Sequence, residues 1–303
     1  MEFTVTILGS NSAVPAHDRN QTSQIITMGS QALMVDCGEA TQIQMQRYKV
    51  KSTRINHIFI SHLHGDHYLG LMGVISTFHL NKRLNPLTIY GPKGLDEIIT
   101  THLKYGNTKL CYPLKFVHTN PEEQELLLET KNFKVHSFPL KHRLPCTGFK
   151  FEQKPGLRRF IKEKLQETPL SIPIINVLKN GKDYTDMEGK VYRAEEFTAA
   201  PLPIKRYAFC SDTIFDQDLI PYVKGVDLLY HEATFMETEA ERASETFHST
   251  AKQAATIAQA AGAKSLLLGH YSTRYIELDG LLMEAEGVFS NSRLSIEGQT
   301  YRV

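Results

Sequence analysis

The chain has 303 residues, 41% of them hydrophobic and 22% charged, with a formal net charge of +1. That composition buries a sizeable core and excludes a disordered chain, and the near-neutral charge excludes a surface that is polyanion-binding throughout, so any nucleic-acid contact has to be a local patch. Cys37, Cys111, Cys146 and Cys210 stand far apart with no C-x-x-C pair, no basic-then-apolar leader opens the chain, and no run reaches the roughly 18 apolar residues of a membrane span; this predicts a soluble, cytoplasmic protein with reduced thiols and no membrane partner.

In chain order, residues 3–8, 23–28 and 32–35 read as short strands separated by Gly9-Ser10-Asn11-Ser12 and Gly29-Ser30. A further apolar run at 55–61 leads into His62-Leu63-His64-Gly65-Asp66-His67. Asp66 is placed to cap a helix carrying Leu69, Leu71, Met72, Val74, Ile75 and Phe78. A strand at 87–90, the Gly91-Pro92 break and a helix over 93–103 follow, then strands at 114–117, 133–138 and 148–151. Between about 154 and 205 the regular pattern weakens, and residues 154–193 hold nine Lys or Arg against five Asp or Glu. Charge alone reads this as a solvated insertion. Strands return at 207–211, 226–230 and 265–268. Thr250 with Gln253 forms a capping box for a helix over 251–261 that closes before Gly262. Strands clustered in both halves with helices between them predict two sheets with helices outside, an α/β/β/α arrangement.

The turn at 62–67 sets three imidazoles and a carboxylate where a strand stops and a helix starts. These are ligand types that zinc accepts, and one catalytic zinc normally takes three protein ligands and keeps an open position. His62 and His64, two residues apart, converge from an extended turn, whereas adjacent Asp66 and His67 diverge toward a second ion. A dinuclear site therefore needs more ligands from later strand ends. His136 and His142 are the first candidates, of which His142, beyond the strand pattern, is preferred. Asp212 follows the apolar run 207–211 and has two oxygens with which to bridge cations, His270 follows 265–269, and His231-Glu232 follows 226–230.

Asp36 in Val35-Asp36-Cys37-Gly38-Glu39, the H-x-H-x-D-H turn, His142, Asp212 and His270 together resemble the five ordered motifs of the metallo-β-lactamase superfamily. Residues 35–42, Tyr90-Gly91-Pro92-Lys93-Gly94, His231-Glu232-Ala233-Thr234-Phe235, His248-Ser249-Thr250 and His270-Tyr271-Ser272-Thr273-Arg274-Tyr275 narrow the resemblance to the ribonuclease Z family of tRNA 3′-end endonucleases. The resemblance implies a metallo-β-lactamase-like four-layer α/β/β/α sandwich, a single domain over 1–303, with a protruding basic arm inserted at 154–205. It implies two Zn2+ per subunit: His62, His64 and His142 on one ion, Asp66, His67 and His270 on the other, Asp212 between them and Asp36 in support. It further implies that precursor tRNA is cut after the discriminator nucleotide by a hydroxide bridging the ions, leaving a 3′-hydroxyl. Asp66 would orient the nucleophile, His248 would help the 3′-oxygen leave, and Glu232 would hold His248. Arg19 and Arg274, with Lys154, Arg158 and Arg159 of the arm, would contact RNA, the arm gripping phosphates without reading bases. A homodimer is implied as well, and no organic cofactor.

Two departures from the family pattern stand out. The loop Pro-x-Lys-x-Arg-Asn appears as Pro15-Ala16-His17-Asp18-Arg19-Asn20, with His17 in the Lys position, and Leu170-Ser171-Ile172-Pro173-Ile174-Ile175 stands where the arm often carries a Gly-Pro pair. Rival readings are a small-substrate dinuclear zinc phosphodiesterase of the same superfamily and a metal-stabilised RNA-binding protein that does not cut. The second would be expected to carry a broken ligand set, whereas all seven positions are filled here.

Overall fold

The structure, a computed structural model, describes residues 2–303. They form two compact units, one of residues up to Glu129, Lys134–Phe151 and Lys205–Val303, the other of Thr130–Phe133 and Glu152–Ile204.

The first unit is built on two seven-stranded sheets. In one, the spatial order is Thr300–Arg302, Phe3–Gly9, Ser23–Met28, Gln31–Cys37, Ile55–Phe59, Leu87–Gly91 and Leu114–His118. Its first four strands pair antiparallel, and from Gln31–Cys37 onward the pairing is parallel. In the other, the order is Ser292–Leu294, Leu266–Gly269, Leu228–Glu232, Arg206–Cys210, Cys146–Gln153, Phe133–Leu140 and Glu125–Glu129, with the first four parallel. The parallel strands are unbroken apolar runs because both of their faces are covered, by the opposite sheet on one side and by helices on the other. Phe59 of the first sheet meets Phe149 and Phe151 of the second at ring-centroid distances of 5.4 and 5.6 Å. The Tyr207 hydroxyl, fully buried, donates to Gln24 across the same interface.

Outside each sheet lies a helical layer. Leu71, Val74, Ile75 and Phe78 of the helix Leu71–Leu80 pack with Leu95 and Ile99 of Leu95–Tyr105 over the first sheet. The Ala-rich helix Ala251–Ala261 covers the second, small side chains allowing close approach, and its capping box closes as the Thr250–Gln253 spacing predicts. Parallel strands with crossover helices bring their carboxyl ends together, and open α/β folds place their sites there.

Several elements differ from the sequence expectation. Asp66 caps no helix. It lies inside the single turn Gly65–Tyr68, whose N-cap is His64, and the long helix restarts after Gly70. That break is enforced by packing, since a Cβ on Gly70 would lie 2.0 Å from the Gly38 carbonyl oxygen. The helix expected from Lys93 begins at Leu95, after Gly94 turns at φ +97°. The strands Glu125–Glu129, Ser292–Leu294 and Thr300–Arg302 and the helices Thr41–Arg47 and Asp279–Glu286 were not anticipated. The last two of those strands have three residues each, too few to show a period of two.

The second unit has its own small core, where buried Leu178, Ala194 and Phe197 pack with Phe160, Leu170, Ile174, Tyr184 and Tyr192. Leu170-Ser171-Ile172-Pro173-Ile174-Ile175 turns out to start the helix Ile172–Lys179. Pro173 sits in its first turn, where a missing N–H costs nothing. Two-residue strand pairs, Arg159–Phe160 with Thr198–Ala199 and Tyr184–Thr185 with Val191–Tyr192, complete the unit.

Candidate metal centre

At the strand ends the first unit gathers three groups of potential ligands, two of which share no residue. His62, His64 and His142 stand with Asp212; Asp66, His67 and His270 form the second group. Asp212 touches both with different oxygens. Its Oδ2 lies 3.6 Å from His62 Nε2 and 3.9 Å from His142 Nε2, and its Oδ1 lies 3.4 Å from His67 Nε2 and 3.2 Å from His270 Nε2. In the first group His64 Nδ1 is 2.9 Å from His62 Nε2 and 3.1 Å from His142 Nε2. In the second, Asp66 Oδ2 is 3.4 Å from both His67 Nε2 and His270 Nε2. Ligands about 2.0–2.1 Å from a tetrahedral zinc are separated from one another by about 3.3–3.4 Å. The second group matches that edge length, and the distances of the first, from 2.9 to 3.9 Å, lie on either side of it.

The remaining ring nitrogens show how the imidazoles are aimed. His67 Nδ1 donates to Asp36 Oδ2 at 2.7 Å, His142 Nδ1 to the Phe247 carbonyl at 3.0 Å, and His270 Nδ1 to Thr234 Oγ1 at 3.0 Å. Each bond fixes a tautomer with the Nε2 lone pair turned to the centre, the usual support of a metal-ligating histidine. His67 Nε2 is buried with no hydrogen-bond partner. Asp36, Asp66, Asp212 and Glu232 are all buried, and that much negative charge away from water requires cations. Against the effect of burial, His270, His67 and His62 hold the Asp212 carboxyl well below the usual range. Against burial again, Asp212, Asp66 and Asp36 hold the His67 imidazole well above its ordinary value. Burial pushes His62 the other way, well below. The donor set, the spacing and the orphaned nitrogen fit a pair of divalent cations with mixed nitrogen and oxygen ligands.

Local backbone places these groups. Asp36 and His270, at strand ends, take φ of 51° and 60°, left-handed values that turn each side chain off the strand line. Asp36 is held there by the Ser61 N–H at 2.8 Å and the Ser61 hydroxyl at 2.9 Å. Asp66 Oδ2 accepts the Ala13 N–H at 2.8 Å.

The third group joins His248 to Asp212 and His270, and the His248 ring lies 5.3 Å from that of His142 and 5.4 Å from that of His270. Its Nδ1 meets Glu232 Oε1 at 3.0 Å. Although burial opposes it, Glu232 raises the His248 pKa to about 9. Glu232, fully buried, also accepts from the N–H groups of Thr213, Ser249 and Thr234 and from the Thr234 hydroxyl. His136 lies within the strand Phe133–Leu140 and His231 within Leu228–Glu232, outside all three groups.

The basic residues are placed differently from one another. Arg19 uses three N–H groups on Asn11 Oδ1 and on the carbonyls of Tyr275 and Ile276, tying the loop at 10–20 to that at 271–276. His17 Nε2 donates to the Thr273 carbonyl at 2.7 Å in the same tie. Arg274 pairs with Glu239 and stacks on Phe235. In the second unit Arg158 donates to Thr198, Arg159 is exposed with one bond to the Ala200 carbonyl, and Lys154 is half-buried. Sequence reasoning missed Ser61, Thr234 and the Phe247 carbonyl; the first adjoins the H-x-H-x-D-H turn and the second lies in the H-E-A-T-F motif, which is the signal that was available.

Two sheets flanked by helices, with paired His/Asp groups sharing one carboxylate at the strand ends, define a metal-binding hydrolase of the metallo-β-lactamase fold. Ribonuclease Z of Parabacteroides distasonis is 43% identical over 302 residues, 100% of this chain and 99% of that protein. Ribonuclease Z of Cytophaga hutchinsonii is 45% identical over 304 residues, 100% of this chain and 97% of that one. The crystal structure of the human short-form tRNase Z superposes with a TM-score of 0.70 at 25% identity, covering 99% of both chains. The chain belongs to the ribonuclease Z family, and its residues 3–158 also match the family described as Anti-Pycsar protein Apyc1.

Proposed function

We propose that this chain is a zinc-dependent endoribonuclease that removes the 3′ trailer of precursor tRNA after the discriminator nucleotide, leaving a 3′-hydroxyl. The observation that carries the reading is the pair of ligand groups joined through the two oxygens of Asp212 in a chain matched end to end by ribonuclease Z relatives. His62, His64, His142 and Asp212 would hold one Zn2+, and Asp66, His67, His270 and Asp212 the other. When bound, the two ions supply Lewis acidity toward the phosphoryl oxygens and lower the pKa of water toward neutrality.

The side chains do the rest. Asp66, fixed through the Ala13 N–H, orients the attacking water and takes its proton. His248 has Nδ1 engaged by Glu232, so Nε2 carries the proton delivered to the departing 3′-oxygen. Glu232 acts through His248 as its positioning residue. The exposed cations of the second unit, Arg159 and Lys162 with neighbouring Lys154, Arg158 and Lys164, would supply salt-dependent phosphate contacts. Arg19, with His17, would act on RNA by shaping the 10–20 loop, and Arg274 through the surface beside Phe235. A homodimer and a cytoplasmic location belong to the same reading. All four cysteines are free, which suits a reducing compartment, and among the described residues no helix is long and apolar enough to cross a membrane.

The test is incubation of the zinc-loaded chain with 5′-labelled precursor tRNA and with bis(p-nitrophenyl) phosphate, mapping the RNA product. A single cut after the discriminator with a 3′-hydroxyl end is expected. Hydrolysis of the small ester alone would instead support a small-substrate phosphodiesterase.

A further inference from the structure

Two buried carboxylates each serve two imidazoles, one directly and one through a hydroxyl. Asp36 Oδ2 takes the His67 Nδ1 proton at 2.7 Å and the Ser61 hydroxyl at 2.9 Å, and Ser61 Oγ in turn lies 3.0 Å from His62 Nδ1. Glu232 takes His248 Nδ1 at 3.0 Å on one oxygen and the Thr234 hydroxyl at 2.8 Å on the other. Thr234 Oγ1 lies 3.0 Å from His270 Nδ1. A hydroxyl has one proton to give, and an ionised carboxylate only accepts. Ser61 Oγ also has Ser211 Oγ at 3.1 Å and His67 Nδ1 at 3.3 Å, but the carboxylate is the charged and stronger acceptor. With each hydroxyl donating to its carboxylate, a lone pair turns to the histidine, which then presents N–H at Nδ1 and keeps the Nε2 lone pair for the centre. The Cys146 thiol, 3.7 Å from His62 Nδ1, is the weaker competing acceptor. Ser61, Thr234, Asp36 and Glu232 are all at most 2% exposed, so water does not substitute for the hydroxyls.

We propose that Ser61 and Thr234 are positioning residues for the two metal sites, each relaying one buried carboxylate to one ligand histidine, so that each hydroxyl governs the affinity of a different ion. This rests on the two-ion reading above. Ser61 supports the ion of His62, His64 and His142; Thr234 supports that of Asp66, His67 and His270. Asp36 serves both ions, reaching one through Ser61 and the other through His67. Glu232 joins the second ion to His248, the proton donor.

The experiment is a chelator-competition titration of Zn2+ on the purified full-length chain and on Thr234→Val, Thr234→Ser and Ser61→Ala, with metal-free melting temperatures measured alongside. Valine keeps the shape of threonine without its hydroxyl, and serine restores the hydroxyl. Two binding steps are expected for the unaltered chain. Thr234→Val should weaken one of them by about 10–100-fold and leave the other within about twofold, Thr234→Ser should restore it, and Ser61→Ala should weaken the other step. Thr234→Val together with Ser61→Ala should weaken both. Two unaltered steps in both single variants, or Thr234→Ser failing as Thr234→Val does, would overturn the relay while leaving the two-ion reading standing. Fewer than two ions on the unaltered chain would overturn both.

Discussion

The Glu232–His248 pair makes a quantitative prediction. Glu232 is fully buried and accepts five hydrogen bonds: from Thr213 N–H at 3.1 Å, Ser249 N–H at 3.0 Å and His248 Nδ1 at 3.0 Å on Oε1, and from Thr234 N–H at 3.1 Å and its hydroxyl at 2.8 Å on Oε2. Glu232→Gln keeps the shape but must aim an amide NH2 at donors on one side, a cost of about 2–4 kcal/mol at any pH. A second cost depends on pH. Overcoming burial, Glu232 lifts His248 from 6.5 to about 9. A histidine raised on folding contributes stability fully present below pH 6.5 and lost as pH rises through about 9, and at about 1.36 kcal/mol per unit the full amount is roughly 3 kcal/mol. The assay is urea unfolding of chelator-treated wild type and variant at pH 6 and pH 10, each fitted by linear extrapolation. The stability gap should be widest at pH 6 and narrower by roughly 3 kcal/mol at pH 10. Comparing the two proteins cancels groups that titrate alike in both. A gap of the same size at both pH values would refute the pairing as the source of the His248 shift.

Three further outcomes are expected. Asp66→Ala should lower pre-tRNA cleavage by at least about 100-fold while leaving tRNA affinity within about twofold; normal turnover of a metal-loaded variant would sink its proposed role. Deleting residues 154–193 should weaken pre-tRNA binding and flatten its dependence on salt by about one unit of slope for each phosphate that is no longer neutralised, with hydrolysis of bis(p-nitrophenyl) phosphate retained. Gly70→Ala sets a Cβ 2.0 Å from a backbone oxygen and threatens the Gly70 N–H bond to the Cys37 carbonyl. It should destabilise by more than about 2 kcal/mol, read as a lower urea midpoint, and an unchanged midpoint would show that the strand and helix move apart freely.

The sequence made the strand ends legible because each is an apolar run that stops at a residue of different chemistry. Ile55–Phe59 runs on to His62, Arg206–Cys210 to Asp212 and Leu266–Gly269 to His270, so those positions stood out before any geometry was known. The choice of His142 over His136 followed from the same rule, and His142 is the one brought beside His64. What stayed hidden depends on contacts across long stretches of chain. Ser61 and Thr234 are ordinary hydroxyl residues until a buried carboxylate and an imidazole flank them. The Ala13 N–H and the Phe247 carbonyl carry no side-chain signal at all. Arg19, which the resemblance sets toward RNA, has its guanidinium on Asn11, Tyr275 and Ile276, long-range partners that no local pattern announces. Helix starts were misjudged at Asp66 and Lys93 because the deciding glycines, Gly70 and Gly94, act through close backbone approach in one case and a left-handed turn in the other.

The strand Thr300–Arg302 lies on Phe3–Gly9, and just before it Glu297 takes the N–H of Ser10, 287 residues earlier, together with the backbone and side-chain amides of Asn20 and the amide of Gln44. The loop that sets Ala13 against Asp66 is thus fastened by a residue 287 positions beyond Ser10. The strands Phe3–Gly9, Ser23–Met28 and Gln31–Cys37 pair with near neighbours in sequence, but the loop between the first two is fastened only when Glu297 and the strand Thr300–Arg302 dock on them. Closing so long a loop is slow. A chain lacking Glu297, although it still contains the H-x-H-x-D-H turn, would lose the fastening that holds the 10–20 loop, and with it the support that sets Ala13 against Asp66.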